Sequence, residues 1–478
     1  MVQFEIKKNQ RHPGEFSYDL RALAQSFYPE KDCQITERED LSGKEGYPLR
    51  CLVDGNEIIA VDLPADYDKN KVKETVYRAL SKYCKRTLSW GILTGIRPAK
   101  IPLRMLMDGM PPEDIRNALQ ETYLVSARKA KLAVDVAERE YELIKSLDYQ
   151  NGYSVYIGIP FCPSICRYCS FSSYDYETYE GKIEAYLDAL EKEMKAVAGN
   201  MGERELHTIY VGGGTPTSLN DHELQRLMDM IHHYLPVESA LEFTVEAGRP
   251  DTITKTKLLI LKEAGVTRIS INPQSMKQHT LELLGRWHKV EQIKEIFALA
   301  RNTGFDNINM DLIIGLPEED EVDFYNTLLQ VKDLGADSVT VHTLVIKRAS
   351  RMRREQLEQG GDIHPEDTLI PILQKESEDM LRDFGYAPYY MYRQKNKAGT
   401  TRNTNQENVA YAKMGKECLY NVLIMEELET IVALGSGGST KYVIHEKNRM
   451  ERIENVKSVD DYISRIDEMI ERKEKLWH

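Results

Sequence analysis

From about residue 153 to residue 345 the chain alternates between two hydrophobic patterns. Short apolar runs rich in β-branched residues occupy 154–159, 208–211, 241–245, 268–271, 307–314 and 338–344. Their length and composition predict buried strands. Between them, 183–198, 221–234, 255–264, 290–301 and 321–334 show the longer spacing of amphipathic helices. Several of these end at a glycine, as in Ala264-Gly265, Thr303-Gly304 and Leu334-Gly335, the usual stop after a helix. Six strand-then-helix units predict an α/β fold with a parallel sheet wrapped by helices. Periodicity alone leaves open a doubly wound sheet or a complete or partial (β/α) barrel.

The flanks read differently. In the first 150 residues, β-like runs at 48–53 and 57–62 bracket Asp54-Gly55-Asn56, a hairpin signal. A helical pattern at 71–84 follows, and a charged helical stretch at 111–144 suits a strut. After residue 345 come an Arg-rich polar stretch (347–361), a helix at 368–384, short strands with Gly-rich turns, and a charged helix at 459–475. The expectation is an N-terminal accessory α+β module (1–150), a barrel (151–345) and a C-terminal extension (346–478) covering the barrel mouth. A length of 478 residues agrees with more than one core.

Unusual residues gather just past the expected strand ends. Cysteines follow the first strand, Gly212-Gly213-Gly214-Thr215 the second, Glu246 the third, and Asn272-Pro273-Gln274 the fourth. Strand C-termini of β/α folds meet on one face, where such folds keep their chemistry. Of seven cysteines, Cys33, Cys51, Cys84 and Cys418 stand singly and read as small packing residues. Cys162, Cys166 and Cys169 fall within eight residues. An odd count without an export signal argues against a disulfide framework. The C-x3-C-x2-C spacing can wrap one loop around a [4Fe-4S] cubane and leave one iron for an exchangeable ligand. Structural zinc would want four closed ligands, and no second cysteine pair is present. The glycines after the second strand would let backbone N–H groups approach an anion, or form a plain tight turn.

The net charge of −13 argues against a nucleic-acid partner, which needs a basic face. No apolar run reaches the eighteen or so residues of a membrane span, and the first residues lack a signal-peptide core, so a cytoplasmic location is expected.

With Tyr168 before its last cysteine, the triplet resembles the signature of the radical S-adenosylmethionine (SAM) superfamily. The resemblance implies a partial (β/α) barrel holding a [4Fe-4S] cluster and SAM, whose reductive cleavage gives a 5′-deoxyadenosyl radical. The strings Val211-Gly212-Gly213-Gly214-Thr215-Pro216-Thr217 and Asn309-Met310-Asp311-Leu312-Ile313-Ile314-Gly315-Leu316-Pro317 resemble the oxygen-independent coproporphyrinogen III oxidase (dehydrogenase) branch. Leu93-Thr94-Gly95-Ile96-Arg97-Pro98 and Tyr389-Tyr390-Met391-Tyr392-Arg393-Gln394-Lys395-Asn396 resemble its HemZ type. Carried over position by position, the resemblance implies cofactor contacts from Tyr168, Gly213, Gly214, Thr215, Glu246, Gln274, Arg286 and Asp311. Glu246 and Asp311 would bond the amino group and ribose hydroxyls of SAM, and Arg286 its carboxylate. Tyr156 would stand near SAM, with Arg393 and Lys395 as anchors for substrate carboxylates.

The implied enzyme is an anaerobic oxidoreductase of heme biosynthesis, turning two propionates of coproporphyrinogen III into vinyl groups. It would take electrons from a low-potential donor such as flavodoxin or ferredoxin. Two positions depart from the branch's oxidases: Phe171 replaces a fourth cysteine, and Gly158 replaces a histidine. Phe171 resembles the heme-chaperone relatives, and a radical SAM tetrapyrrole methyltransferase that opens heme is a third reading. The stretch 399–406 also exceeds what the HemZ type leads one to expect.

Overall fold

The computed structural model describes residues 1–7, 16–38, 47–63, 68–346, 350–359, 369–394, 406–447 and 449–474. The chain divides into two compact units. The first comprises Met1–Tyr141, Glu366–Pro371 and Met391–Asn408; the second comprises Glu142–Pro365, Ile372–Tyr390 and Val409–His478. These boundaries differ from the three consecutive segments expected, because short stretches after residue 345 group with the first unit.

In the first unit, β1 (Val2–Lys7), β2 (Cys33–Arg38), β3 (Tyr47–Val53) and β4 (Asn56–Leu63) form a sheet in the order β2-β1-β3-β4. Val2, Phe4 and Ile6 alternate inward along β1, so one face is apolar. Helices α1 (Ser17–Phe27) and α2 (Lys69–Cys84) cover that face with Leu20, Leu23, Val72, Val76 and Leu80. The β3–β4 hairpin turns at Asp54 (φ 51°) and Gly55 (φ 83°), two consecutive left-handed residues that match the twist of paired strands. That hairpin was legible in the sequence. The parallel β1–β2 pairing was not.

The second unit is built on β5 (Gly152–Ile159), followed by the two-residue β6 (Phe161–Cys162) and β7 (Tyr174–Asp175). Then come β8 (Glu205–Gly213), β9 (Glu242–Gly248), β10 (Arg268–Ile271), β11 (Ile308–Ile314) and β12 (Ser338–Thr343). β5, β8, β9, β10, β11 and β12 pair in sequence order, all parallel. They are the six predicted strands. The helices between them, Ile183–Ala198, Asp221–Tyr234, Lys255–Glu263, Val290–Asn302 and Glu321–Leu334, start and stop within a residue or so of the predicted limits. Gly335 ends the last of these at φ 78°. Six parallel strands in sequence order, each joined to the next by a helical connection, are the arrangement expected of a partial (β/α) barrel.

The C-terminal region does not form one separate extension. β13 (Ala387–Arg393) and β14 (Glu407–Ala412) add to the β12 edge, while β15 (Thr430–Leu434), β16 (Ser439–Ile444) and β17 (Arg449–Glu454) add to the β5 edge. β15 lies parallel to β5, from Thr430 opposite Tyr153 to Leu434 opposite Ile157. All five of its residues are buried, as expected of a strand covered on both faces.

At the start of these strands the buried Glu429 accepts from Ser154 Oγ at 2.5 Å and contacts His207 Nδ1 at 2.6 Å. Ser154 Oγ in turn accepts from Thr208 Oγ1 at 2.6 Å. The carboxylate therefore fastens β15 to β5 and β8. Glu429→Ala strands two buried polar groups, Ser154 Oγ and His207 Nδ1, and loss of one partner from a buried charged network costs about 3–5 kcal/mol. A clear fall in the denaturation midpoint of the second unit is expected, followed by circular dichroism; an unchanged midpoint would contradict the role.

Candidate functional site

Strand register places the chemistry. β5 and β8 run side by side, with Tyr156 opposite Tyr210, Gly158 opposite Gly212 and Ile159 opposite Gly213. Past this point the glycine loop packs on the cysteine-bearing segment. Gly214 N–H donates to Ile159 O at 2.8 Å and Thr215 N–H to Phe161 O at 2.7 Å. Gly213 adopts φ 110°, and a Cβ on Gly214 would stand 2.6 Å from Phe161 O and 2.9 Å from Pro160 C. Only glycine permits that approach. Gly213 N–H is directed at Glu246. The amides of Gly213, Gly214 and Thr215 thus bond within the protein, as in the tight turn that was one of the two readings of these glycines.

The loop delivers Thr215 to the triplet: its hydroxyl donates to Cys162 Sγ at 3.6 Å. Cys162, Cys166 and Cys169 are half-buried thiols that form no disulfide. Burial pushes the Cys162 thiol up to about 11, against the Thr215 hydrogen bond, with Cys169 and Cys166 adding like charge. Among the described residues no three His, Cys, Asp or Glu side chains converge as ligands of a single ion. Cubane ligands each take a different iron, so their sulfurs stand further apart than a mononuclear site allows.

Side chains two apart on a strand share a face. Thr208, Tyr210 and Gly212 on β8 therefore line up, as do Glu242, Thr244 and Glu246 on β9. The same holds for Asn309 and Asp311 on β11, and for Ser338, Thr340 and His342 on β12. Tyr210 donates to Glu246 Oε1 at 2.6 Å. Its ring stacks on Tyr420 at 4.4 Å between centroids, with Tyr156 6.2 Å away. Glu246 is enclosed by protein yet keeps an accessible face. Burial pushes its carboxyl up to about 7, against the Tyr210 bond, and the nearby Asp311 charge adds to the rise. Asp311 behaves oppositely. Burial acts to raise it, but the His342 hydrogen bond and charge, with Asn309 and Thr340, hold it below the usual range. Asn309 Nδ2 donates to Asp311 Oδ1 at 2.7 Å, and His342 Nε2 lies 3.7 Å from Oδ2.

Gln274 takes φ 69°, a left-handed backbone uncommon outside glycine, and is held there by Asp311 O, which accepts its N–H at 2.9 Å. The buried Arg286 donates through Nη1 to Asn272 O at 2.7 Å and Pro273 O at 3.1 Å, leaving Nε without a partner. Tyr168 lies close enough to feel the charges of Cys166 and Arg286. These contacts draw Tyr156, Tyr168, the three cysteines, Gly213, Gly214, Thr215, Glu246, Gln274, Arg286 and Asp311 into one region of the second unit. The residues fit the expected cofactors. Three thiols suit a cubane with an open iron, while two carboxylates in different protonation regimes and an orphaned guanidinium N–H suit a zwitterionic amino acid.

Of the two expected anchors, only Arg393 lies among the described residues. Arg393 belongs to the first unit, where its N–H donates to Ile96 O at 2.7 Å and Nη1 to Leu93 O at 2.6 Å. Its guanidinium lies over the Trp90 ring at 5.6 Å. Burial pulls its pKa down to about 10 in spite of the Glu407 charge. Glu407 itself accepts from Trp90 Nε1 and Lys129 Nζ, each at 2.6 Å. Arg393 thus ties the two HemZ-type strings together, giving one corner of its guanidinium to a backbone carbonyl and leaving Nε without a partner among the described residues. Lys395 and residues 399–405 lie outside the described residues. Tyr210, Tyr420, His342 and Arg249 were missed. The signal for Tyr210 and His342 was a polar residue at every second position of an otherwise apolar strand.

The radical SAM superfamily domain matches residues 156–331. Over 411 residues the chain is 38% identical to the oxygen-independent coproporphyrinogen-III oxidase-like protein HemZ of Bacillus subtilis (strain 168), covering 85% of this chain and 80% of that one. It is 39% identical over 226 residues to the heme chaperone HemW of the same organism, covering 47% of this chain and 57% of that one. Among solved structures, coproporphyrinogen III oxidase (HemN) from Escherichia coli, a radical SAM enzyme, aligns with a TM-score of 0.53 at 23% identity, over 67% of this chain and 70% of that one. That alignment speaks for the shared fold. No helix among the described residues is long and apolar enough to cross a membrane. Six parallel strands, a cysteine triplet at their ends and similarity along most of the length agree: the chain belongs to the radical SAM superfamily, among the HemZ-like coproporphyrinogen-III oxidase-like proteins.

Proposed function

We propose that the protein is an oxygen-independent coproporphyrinogen III dehydrogenase, converting two propionate side chains to vinyl groups with loss of CO2. The observation that carries this reading is the 38% identity to HemZ along 85% of the chain, which takes in the flanking strings as well as the barrel. Cys162, Cys166 and Cys169 would hold a [4Fe-4S] cluster. Together the cluster and SAM supply one-electron cleavage that yields a carbon radical able to take a hydrogen atom from the substrate.

The chain's own residues do the holding. Ionised Glu246 accepts hydrogen bonds from the amino group of SAM, and Tyr210 fixes which carboxylate oxygen is left to do so. Asp311, ionised through His342 and Asn309, accepts from the ribose hydroxyls. Arg286 donates its spare N–H to the carboxylate. The Tyr156–Tyr210–Tyr420 stack walls the interior with rings whose hydroxyls burial keeps protonated, so they exclude water without adding charge. The electron for SAM cleavage would come from a low-potential donor such as flavodoxin or ferredoxin, and a one-electron acceptor would take the electron left on the substrate as CO2 departs.

A second reading, a heme chaperone, is favoured by Phe171. It is 74% exposed beside the cysteine triplet, where the branch's oxidases carry a fourth cysteine. The two readings separate in one anaerobic experiment. Reconstituted protein with dithionite, SAM and coproporphyrinogen III is expected to give vinyl product, CO2 and 5′-deoxyadenosine. Heme binding and transfer to an apo-acceptor without porphyrin product would support the chaperone instead, and a methylated or ring-opened product would replace both.

Cys166→Ala is expected to abolish the brown cluster absorbance and SAM cleavage together; retention of both would remove Cys166 as a ligand.

SAM affinity should depend on pH through Glu246. Its carboxyl sits near 7 because it is buried, so below that value the protonated form must first lose its proton. Affinity is expected to fall about tenfold per pH unit below about 7 and to level off above it. Glu246→Gln should bind weakly with a flat profile, and anaerobic equilibrium dialysis reads both. A wild-type profile as flat as the variant's would exclude Glu246 from the contact.

A further inference from the structure

Arg249 is the first residue past β9 and is only 4% exposed. A guanidinium that deep needs partners for its charge and its N–H groups. Two are supplied locally: Nε donates to Asp251 Oδ1 at 2.9 Å and Nη2 to Asp251 Oδ2 at 2.5 Å, a bidentate fork. The remaining corner reaches 85 residues back along the chain. Nη1 donates to Ser164 Oγ at 2.6 Å and to Ser164 O at 3.1 Å. Ser164 is the midpoint of the loop, two residues after Cys162 and two before Cys166. Both cysteines lie near enough for their charges to act on the guanidinium.

The base of this arm is itself rigid. Arg249 O accepts from Thr252 Oγ1 at 2.9 Å, and Thr252 Oγ1 meets Thr217 Oγ1 at 2.7 Å, just past the glycine loop. On its far side, Asp251 faces His288 Nδ1 at 3.9 Å. An ion pair needed only for local neutrality would have no reason to spend its third corner on the cysteine loop.

We propose that Arg249 is a positioning residue for the iron–sulfur cluster, clamping the cysteine loop at Ser164 and presenting the positive end of a buried ion pair to the thiolates. It rests on the reading that Cys162, Cys166 and Cys169 hold that cluster. Asp251 lies behind the guanidinium and the loop in front of it, so the pair acts as a dipole with its positive end toward the sulfurs. Hydrogen bonds and charge around cluster sulfurs set the reduction potential. A positive end stabilises the reduced, more negative state, which makes the cluster easier to reduce.

The test uses the full chain, reconstituted anaerobically with iron and sulfide. Arg249→Met removes charge and clamp; Arg249→Lys keeps the charge but replaces the planar fork with a single point donor. At a fixed solution potential, the Met variant is expected to show a reduced-to-oxidised ratio about tenfold lower by electron paramagnetic resonance, about 59 mV for one electron. Iron release to a chelator should be faster in both variants, with the Lys variant keeping a potential close to wild type. A Met variant with full iron content, wild-type potential and wild-type release would overturn the proposal. Should that variant fail to fold, Ser164→Ala removes a single hydroxyl on the loop. Faster iron release then supports the clamp, and unchanged release overturns it. Wild-type protein that takes up no iron would instead remove the cluster reading, and the proposal with it.

Discussion

The site depends on one backbone contact, the packing of Gly213-Gly214-Thr215 against Ile159-Pro160-Phe161. Parallel β5 and β8 bring the two chain segments together, but only a residue without Cβ lets them touch at Gly214. From this contact the rest follows geometrically. Cys162 emerges directly after Phe161, Thr215 reaches its sulfur, and Gly213 N–H turns toward Glu246. The contact is local to two strand ends, yet it joins the segment that would hold iron to the strand that would hold the amino acid. A side chain here would separate the two halves of the site without touching either set of ligands.

Above that contact the barrel interior is unusually polar for a parallel sheet, whose strands normally bury apolar residues on both faces. The cost is offset by pairing side chains along and across strands. Asn309 shows how: it accepts from Ser338 and Thr340 on the neighbouring strand and donates to Asp311 on its own. Glu246 and Asp311 are neighbours whose environments drive them in opposite directions, one toward neutrality at physiological pH and one toward charge. Two nearby carboxyl groups separated in this way can serve different partners, one responsive to pH and one permanently charged.

The six barrel strands were legible because buried parallel strands read as short continuous apolar runs, and their helices because amphipathic periodicity survives over three or four turns. Asp311 stood out as charge within such a run and Glu246 as charge just past one. What escaped depended on contacts distant in sequence. The run at β15 is apolar and strand-like, but nothing in it reveals that its partner is β5, more than 270 residues earlier. Nothing in the sequence marks Arg249; its burial and its reach to Ser164 exist only in the folded chain. Arg393 shows the converse. Basic and aromatic neighbours suggested a carboxylate anchor, and nothing in them announced that one corner of the guanidinium goes to Leu93 O and that the group lies over Trp90.

Gly158 shows why a departure from a family pattern should be weighed with its surroundings. Taken alone, it is a lost histidine and an argument against decarboxylation. In the fold, a Cβ at 158 would stand 3.2 Å from Leu434 O, at the end of β15, and 3.5 Å from the Tyr156 ring. The carbonyl of Gly158 accepts from Tyr186 Oη at 2.6 Å, and the turn after β15 comes so close that a Cβ on Gly435 would lie 2.5 Å from that carbonyl. The small residue and the neighbouring strand therefore form one arrangement. Restoring a histidine by itself would ask the end of β15 to give by a few tenths of an ångström at Leu434 O. Gly158 is thus set by the close approach of the β15 end and of the turn that follows it, and its identity reports packing as directly as chemistry.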